Sequence, residues 1–296
     1  MARKSGQIAF FLMTEKGFRV LEGLISNGYK EVIEQVIIGQ DAAIINDFSA
    51  DIELLCIQHA ISYSYRKDAG AIEASYAIAI SWRWMIALEQ TSLIVLHDSL
   101  LPKYRGFAPL VNQLINGEDK IGVTALFASA DYDKGEIIAQ KELAISYPIK
   151  ISAAIGLIGP LYVSLVNDIV KMIKSGSQLK SMVQNEQDAS YSLWRDEDDY
   201  RINWNDSAIE INRFIDAVGY PYLGASTMMD NKLVRIIDSE IMEDLKIENR
   251  QPGKIIFFKD KYPVIVCGKG LLCIKAIVDN NGQNLLPLKK FRTKFQ

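Results

Sequence analysis

Unbroken apolar runs that are too short for helices constrain this chain more than any other feature. Ile8 to Met13, Tyr76 to Ile80 and Leu93 to Leu96 carry no polar break beyond a tyrosine. A strand wetted on one face alternates, whereas a strand covered on both faces reads as a continuous run. Val32 to Ile38 reads as a further strand. Segments with helical spacing lie between them: Phe18, Leu21, Leu24 and Ile25 behind a Thr14 cap, then Ile52, Leu55 and Cys56. This strand–helix rhythm predicts a mainly parallel α/β sheet with helices on both faces. No Gly-x-Gly-x-x-Gly follows the first strand, so a nicotinamide dinucleotide site is not indicated.

Further on, Pro109 to Ile115 reads as a helix ending at Asn116-Gly117. Gly122 to Ala128 and Ile137 to Leu143 read as strands around a polar loop, and a long helix is expected from Ser152 to about Lys174. Residues 177–203 are polar and irregular. Ile209, Ile211, Phe214, Ile215 and Val218 predict one amphipathic helix. Short β runs follow at Val234 to Ile237, Lys254 to Phe258, Val264 to Cys267 and Leu271 to Ile277, with Gly268-Lys269-Gly270 as a hairpin turn. Such spacing suggests a small barrel or open sheet. The expected organisation is a domain over residues 1–185, a linker over 186–205, and a helix with a small β-rich domain over 206–296.

Composition narrows the class. The chain has 296 residues, 49% of them hydrophobic, and a net charge of −3, which suits one large domain or two ordinary ones. Cys56, Cys267 and Cys273 lack C-x-x-C spacing and read as buried thiols of a reducing compartment. The run from Ile151 to Val166 is interrupted by Ser152 and Pro160 and falls short of the ~20 residues of a membrane span. A cytoplasmic location with no membrane partner is expected. No metal site is indicated.

The chemistry concentrates in three places. His97 leaves an apolar strand and enters Asp98-Ser99-Leu100-Leu101-Pro102-Lys103-Tyr104-Arg105-Gly106. Ligands of open α/β sheets bind outside the carboxyl ends of strands, and a histidine there moves protons near neutral pH. Its bland alternative is an imidazole that holds a loop. Asp133, in Ala130-Asp131-Tyr132-Asp133-Lys134-Gly135, is on its own an ordinary turn carboxylate. Converging strand ends of a parallel sheet would bring it to His97, where it would orient the ring and favour its protonated form. Ser81-Trp82-Arg83-Trp84-Met85-Ile86 reads equally well as core tryptophans or as a flat wall for a heterocycle. Asp98 points to the opposite face from His97 by strand alternation and reads as a loop-capping carboxylate.

The segment from His97 through Ser99-Leu100-Leu101-Pro102-Lys103-Tyr104-Arg105-Gly106 resembles the signature of formyltransferases that use N10-formyltetrahydrofolate. So do Ala108-Pro109, Asn116-Gly117-Glu118, Gly122-Val123-Thr124 and Asp133-Lys134-Gly135-Glu136-Ile137-Ile138, in family order and at family spacing. Ala189-Ser190-Tyr191, Arg201-Ile202-Asn203-Trp204 and Pro221-Tyr222-x-Gly224-Ala225 extend the resemblance to the linker and C-terminal region of methionyl-tRNA and sugar-nucleotide formyltransferases. The resemblance implies a Rossmann-like catalytic domain, an OB-like C-terminal domain and a homodimer. It makes His97 and Asp133 the catalytic pair, with Trp82, Arg83, Met85 and Asp133 at the folate co-substrate. One departure stands out. The family carries an asparagine two residues before the histidine, as an oxyanion donor, and here that position is Val95. Losing such a donor costs about 10²–10³ in rate.

The amine that accepts the formyl group is read from charge. Residues 201–296 hold 15 lysines and arginines against 11 aspartates and glutamates, a net +4, and the remainder is net −7. Four of those cations, Lys289, Lys290, Arg292 and Lys294, read as a solvated tail, which is thin support for tRNA binding. A nucleotide-linked amino sugar needs an aromatic for the base and one or two cations for the diphosphate. Lys103, Arg105, Trp194, Arg195 and Tyr222 are the candidates, with Trp194 equally able to anchor an interface. The expected partner is therefore a nucleotide-linked amino sugar and not a nucleic acid. An aminoacyl-tRNA formyltransferase and a catalytically silent folate- or nucleotide-binding homologue remain as alternatives, the latter because of Val95.

Overall fold

In this computed structural model, residues 4–42, 44 and 46–296 are described. The apolar runs become strands: β1 (Lys4–Leu12), β2 (Ile33–Ile38), β4 (Ala74–Ile80) and β5 (Ser92–His97), with α1 (Thr14–Ser26), α2 (Ser49–Gln58) and the short β3 (Tyr63–Tyr65) between them. There follow β6 (Arg105–Gly106), α3 (Pro109–Asn116), β7 (Lys120–Phe127), β8 (Ile137–Ala144), α4 (Ile151–Lys174) and β9 (Tyr191–Ser192). The main sheet has the order β3-β2-β1-β4-β5-β7-β8. β1 to β5 run parallel, whereas β7 is antiparallel to β5 and β8 to β7. Strand order reverses between β1 and β4, so their carboxyl edge is the topological switch point where ligands of such sheets bind.

Burial on both faces explains the apolar runs. Ile8, Ala9, Phe10 and Leu12 of β1 are fully buried, as are Ala77, Ile78 and Ile80 of β4. Thr14 does not cap α1, contrary to expectation. It is the first helical residue, at φ 60°, and its hydroxyl donates to Ser81 Oγ at 3.0 Å. Ser81, at the end of β4, is also at positive φ (54°). Two strained residues thus meet across the switch point, a place where strain tends to mark function.

The long helix forms where it is expected, but it is longer than the interrupted apolar run suggests. α4 continues through Pro160 for 24 residues and is, by length and hydropathy alone, sufficient to cross a membrane. Ile151, Ala154, Ile158, Tyr162, Leu165, Val166, Ile169, Val170 and Ile173 are nevertheless buried at helical spacing, the pattern of a core helix.

Contacts divide the chain into two compact units. One comprises Met1–Leu110, Lys120–Ala144 and Ile155–Leu193, and the other Val111–Asp119, Ile145–Ala154 and Trp194–Gln296. The second holds α5 (Ala208–Ala217), opened by a Ser207/Glu210 capping box, and then β10 (Ala225–Met229), β11 (Lys232–Met242), β12 (Ile255–Lys259), β13 (Tyr262–Val266) and β14 (Leu271–Val278). These five strands form one antiparallel sheet, β10-β11-β14-β13-β12. The chain terminus is not a solvated tail. Met229 bridges Phe295, Lys254 bridges Lys294, and Phe295 is 1% exposed against Trp204. Residues 294–296 thereby pair with Met228 and Met229 of β10 and with Gly253 and Lys254 just before β12, covering part of the sheet's edges.

The turn between β7 and β8 is built around close backbone approach at Gly135. A Cβ there would lie 1.7 Å from Phe127 O. Gly135→Ala is expected to cost more than about 2 kcal/mol and to displace the turn. Thermal denaturation of the variant checks this, and an unchanged Tm would contradict it.

Candidate active site

His97 ends β5 on the same face as Leu93 and Val95 and is 7% exposed. Its Nε2 lies 2.8 Å from the carbonyl oxygen of Tyr104. A carbonyl only accepts, so Nε2 carries the proton and donates it. That fixes the neutral tautomer and leaves Nδ1 as the basic nitrogen. Nδ1 faces Asp133 Oδ1 at 3.5 Å. The other carboxylate oxygen of Asp133 accepts the Gly106 N–H at 2.8 Å, and Asp133 sits at φ 56°, a conformation an aspartate holds only where its surroundings impose it.

The two residues meet, but not by converging strand ends. Because β7 is antiparallel to β5, Thr124 pairs with His97 while Phe127 pairs with Ile94, and Ala128 N–H donates to Leu93 O. The β7–β8 loop leaves beside the early part of β5. It must double back by roughly 10 Å, three residues' rise, to reach the histidine. Gln184 holds it there, its Nε2 donating to the carbonyls of Asp133 and Gly135 at 2.7 and 2.8 Å.

The loop after β5 is pinned at every turn. Ser99 Oγ donates to Lys103 O, Thr124 Oγ1 donates to Ser99 O and accepts from Leu101 N–H, and Tyr104 N–H donates to Ser190 Oγ. Together these bonds set the carbonyl that clamps His97. Arg105 is the largest fully buried side chain. Its guanidinium donates to Gln184 Oε1, to both oxygens of Glu186 and to Tyr191 Oη. The expectation that Arg105 binds substrate is therefore corrected: its donors are engaged within the protein, by Gln184, Glu186 and Tyr191. Lys103 is exposed.

Asp98 does not cap the loop. It follows Ile94 and Leu96 onto the opposite face, where it pairs with Lys16 of α1 and accepts the Tyr162 hydroxyl of α4. Burial pushes its carboxyl up, but the Lys16 ammonium and the Tyr162 hydrogen bond outweigh that and hold it below the usual carboxylate range. Burial, then the Asp98 carboxylate, push the Tyr162 phenol well up.

Trp82 packs edge-on to Phe11 and Trp84, at 5.0 and 5.2 Å, at the carboxyl edge of β4. Its Nε1–H is buried and finds no acceptor among the described residues. Arg83 pairs with Asp41, and Met85 is 66% exposed. Val95 packs on Leu101, Leu126 and Ile137, and its side chain has no hydrogen to donate. Trp194, Arg195 and Tyr222 belong to the second unit. There Trp194 is 62% exposed, and Arg195 donates to Asn112 Oδ1 and to Asp199 O. Sequence reading missed the Tyr104 carbonyl, Gln184, Lys16 and Tyr162. The first is a backbone group common to any residue, and the others are remote in sequence and carry no local signal.

A doubly wound sheet with an imidazole–carboxylate pair at the end of a central strand, followed by a small antiparallel β domain, is the architecture of a formyl-transferring enzyme. The formyl transferase family matches residues 69–150, and its C-terminal domain matches residues 195–295. The chain belongs to this family and carries both domains. It is 28% identical to the methionyl-tRNA formyltransferase of Thermodesulfovibrio yellowstonii over 233 residues, 77% of this chain and 73% of that one. Other methionyl-tRNA formyltransferases are matched over 61–63% of their length. The N-formyltransferase of Helicobacter canadensis, solved with folinic acid and dTDP-3-aminofucose, superposes with a TM-score of 0.67 at 16% identity, covering 94% of this chain and 99% of that one. The sugar 3N-formyltransferase WlaRD, solved with dTDP and 5-N-formyl-THF, gives 0.64 at 20% identity, covering 97% and 99%. At these identities the likeness establishes the fold.

Asp98 contributes stability that is present above the usual carboxylate range and lost as pH falls through its depressed pKa. Asp98→Asn, which leaves Lys16 buried and unpaired, is expected to lose about 3 kcal/mol or more at neutral pH. The gap to the parent should close as the medium is acidified below that range. Urea denaturation across pH measures this, and a gap independent of pH would refute it.

Proposed function

We propose that the chain transfers a formyl group from an N10-formyltetrahydrofolate-type donor to the amino group of a nucleotide-linked amino sugar. The observation that carries this reading is the Nε2–H···O=C clamp on His97, which turns a basic Nδ1 toward Asp133. With the ring neutral, a lone pair faces a carboxylate oxygen across 3.5 Å, and a donor N–H or a proton between them relieves that opposition. A substrate amine supplies both.

The amine attacks the formyl carbon in its neutral form. As the new C–N bond forms, the amine proton passes to His97 Nδ1, and Asp133 stabilises the imidazolium. The bond from the formyl carbon to the donor nitrogen then breaks. The imidazolium returns its proton to that leaving nitrogen, leaving a formamide and restoring the neutral ring. The exposed Met85 and the unpartnered buried N–H of Trp82, at the switch-point edge, suit a flat heteroaromatic donor that brings an acceptor of its own. With Nε2–H held by Tyr104 and no donor on Val95, the positive charge of the imidazolium is what this pair offers the developing oxyanion.

What supports a sugar acceptor over tRNA is the net −7 carried by residues 1–200 and an architecture coextensive with two sugar N-formyltransferases. The second reading, a tRNA acceptor, is favoured by the names of the sequence relatives and by the +4 of residues 201–296. The two differ in salt response, because neutralised phosphates release counterions. Incubation with formyl donor and a panel of UDP-, dTDP- and GDP-amino sugars, read by mass, is expected to give one product with a formyl gain. Turnover confined to aminoacyl-tRNA, with affinity falling steeply in salt, would replace the sugar reading.

Two substitutions test the machinery. His97→Asn should lose about 10³-fold in kcat/KM. Val95→Asn, which restores the family's oxyanion donor, should raise kcat by about 10-fold or more at some loss of Tm, because Val95 now packs on apolar neighbours. Steady-state kinetics reads both, and an undiminished His97→Asn rate would remove the residue from the reaction.

A further inference from the structure

The Lys16–Asp98–Tyr162 cluster is not used in the reaction above, yet its carboxylate belongs to the residue next to His97. Lys16 and Asp98 are buried, with side chains 11% and 15% exposed, and Tyr162 is 1% exposed. A buried ion pair is weak grounds for stability, since apolar residues of similar volume often serve as well. The Lys16 ammonium also lies 5.7 Å from the Tyr162 ring centre, so all three groups touch. The cluster adjoins the His97–Asp133 pair through the chain itself, because Asp98 directly follows His97, and the neighbouring His97 is among the causes that lower the Asp98 carboxyl.

Counting charges shows what this does. The titratable groups nearest His97 are Asp133, which faces its Nδ1 from the β7–β8 loop, and, on the other face of β5, Asp98 with its partners Lys16 from α1 and Tyr162 from α4. With a neutral imidazole the group carries one net negative charge, and with an imidazolium it carries none. Proton uptake from the amine thus neutralises the buried group. Without Lys16 a second uncompensated carboxylate beside the ring would favour its protonated form. Without Asp98 the Lys16 ammonium would repel the proton.

We propose that Lys16 is a positioning residue for the base: it neutralises Asp98, so that Asp133 remains the single uncompensated counter-charge facing His97, and thereby sets the pH at which His97 accepts a proton. The mechanistic weight of this rests on His97 being the base, but its test does not need turnover.

The chain has two histidines, so NMR titration of the imidazole C–H signals of the full chain resolves His97, with His59 as internal reference. Asp98→Asn is expected to lower the His97 midpoint and Lys16→Met to raise it, each by about half a unit or more. The double variant is expected to return it to near the parent value, with His59 unmoved throughout. The acid limb of kcat/KM should follow the same order. Shifts of one sign in both single variants, or no shift in either, overturn the proposal, because loss of packing alone does not move a pKa in opposite directions. Should Asp98→Asn fail to fold, Lys16→Met decides by itself: a midpoint unchanged or lowered overturns the proposal. A formyl-transfer assay that fails while these shifts appear would refute the reaction and leave the tuning intact.

Discussion

One hydrogen bond organises the site: His97 Nε2–H to the carbonyl of Tyr104. It selects the tautomer, turns Nδ1 toward Asp133, and does so from a backbone group whose position is set by the whole Asp98–Gly106 loop. The supports of that loop come from far along the chain. Thr124 pins its first half, Ser190 pins Tyr104, and the buried Arg105 ties it to Gln184 and Glu186. Gln184 serves twice, because its amide also fixes the carbonyls beside Asp133. Base and counter-ion are therefore registered through one shared residue, which is how two loops on different strands keep a fixed separation.

The same constraint divides the sheet's two faces into separate tasks. Toward one side, Leu93, Val95 and His97 line the face on which proton transfer is proposed, and the β7–β8 loop folds back across it. Toward the other, Ile94 and Leu96 join the core and Asp98 closes the row against Lys16 and Tyr162. Strand alternation thus places the His97 imidazole and the Asp98 carboxylate on adjacent residues without letting them share a pocket. The proposed coupling between them acts through space, and it depends on Lys16 balancing Asp98.

Val95 is the point where this chain differs from the family pattern it resembles. An asparagine there would face the reacting carbonyl oxygen, whereas the valine is packed among Leu101, Leu126 and Ile137. On the proposed mechanism the exchange leaves stabilisation of the intermediate to the charge of the protonated ring, which places more weight on the charge balance around His97 than a separate oxyanion donor would require.

The sequence alone determined the parallel half of the sheet, because strands buried on both faces leave an unbroken apolar signature that few other structures share. It also determined α4 and α5, and it marked His97 by its position at the end of such a strand. Local pattern could not show that β7 and β8 run antiparallel, because antiparallel and parallel strands bury the same residues. Nor could it show that residues 294–296 pair with both ends of the second sheet, since that depends on partners distant in the chain. Tertiary structure alone decided the site's geometry. Asp133 reaches His97 by a loop doubling back, Arg105 is held inside the protein, and Asp98 finds a lysine 82 positions earlier. Each is a pairing of polar groups in a low-dielectric interior, satisfied by whatever the fold brings near, and such pairings leave no periodic trace in the chain.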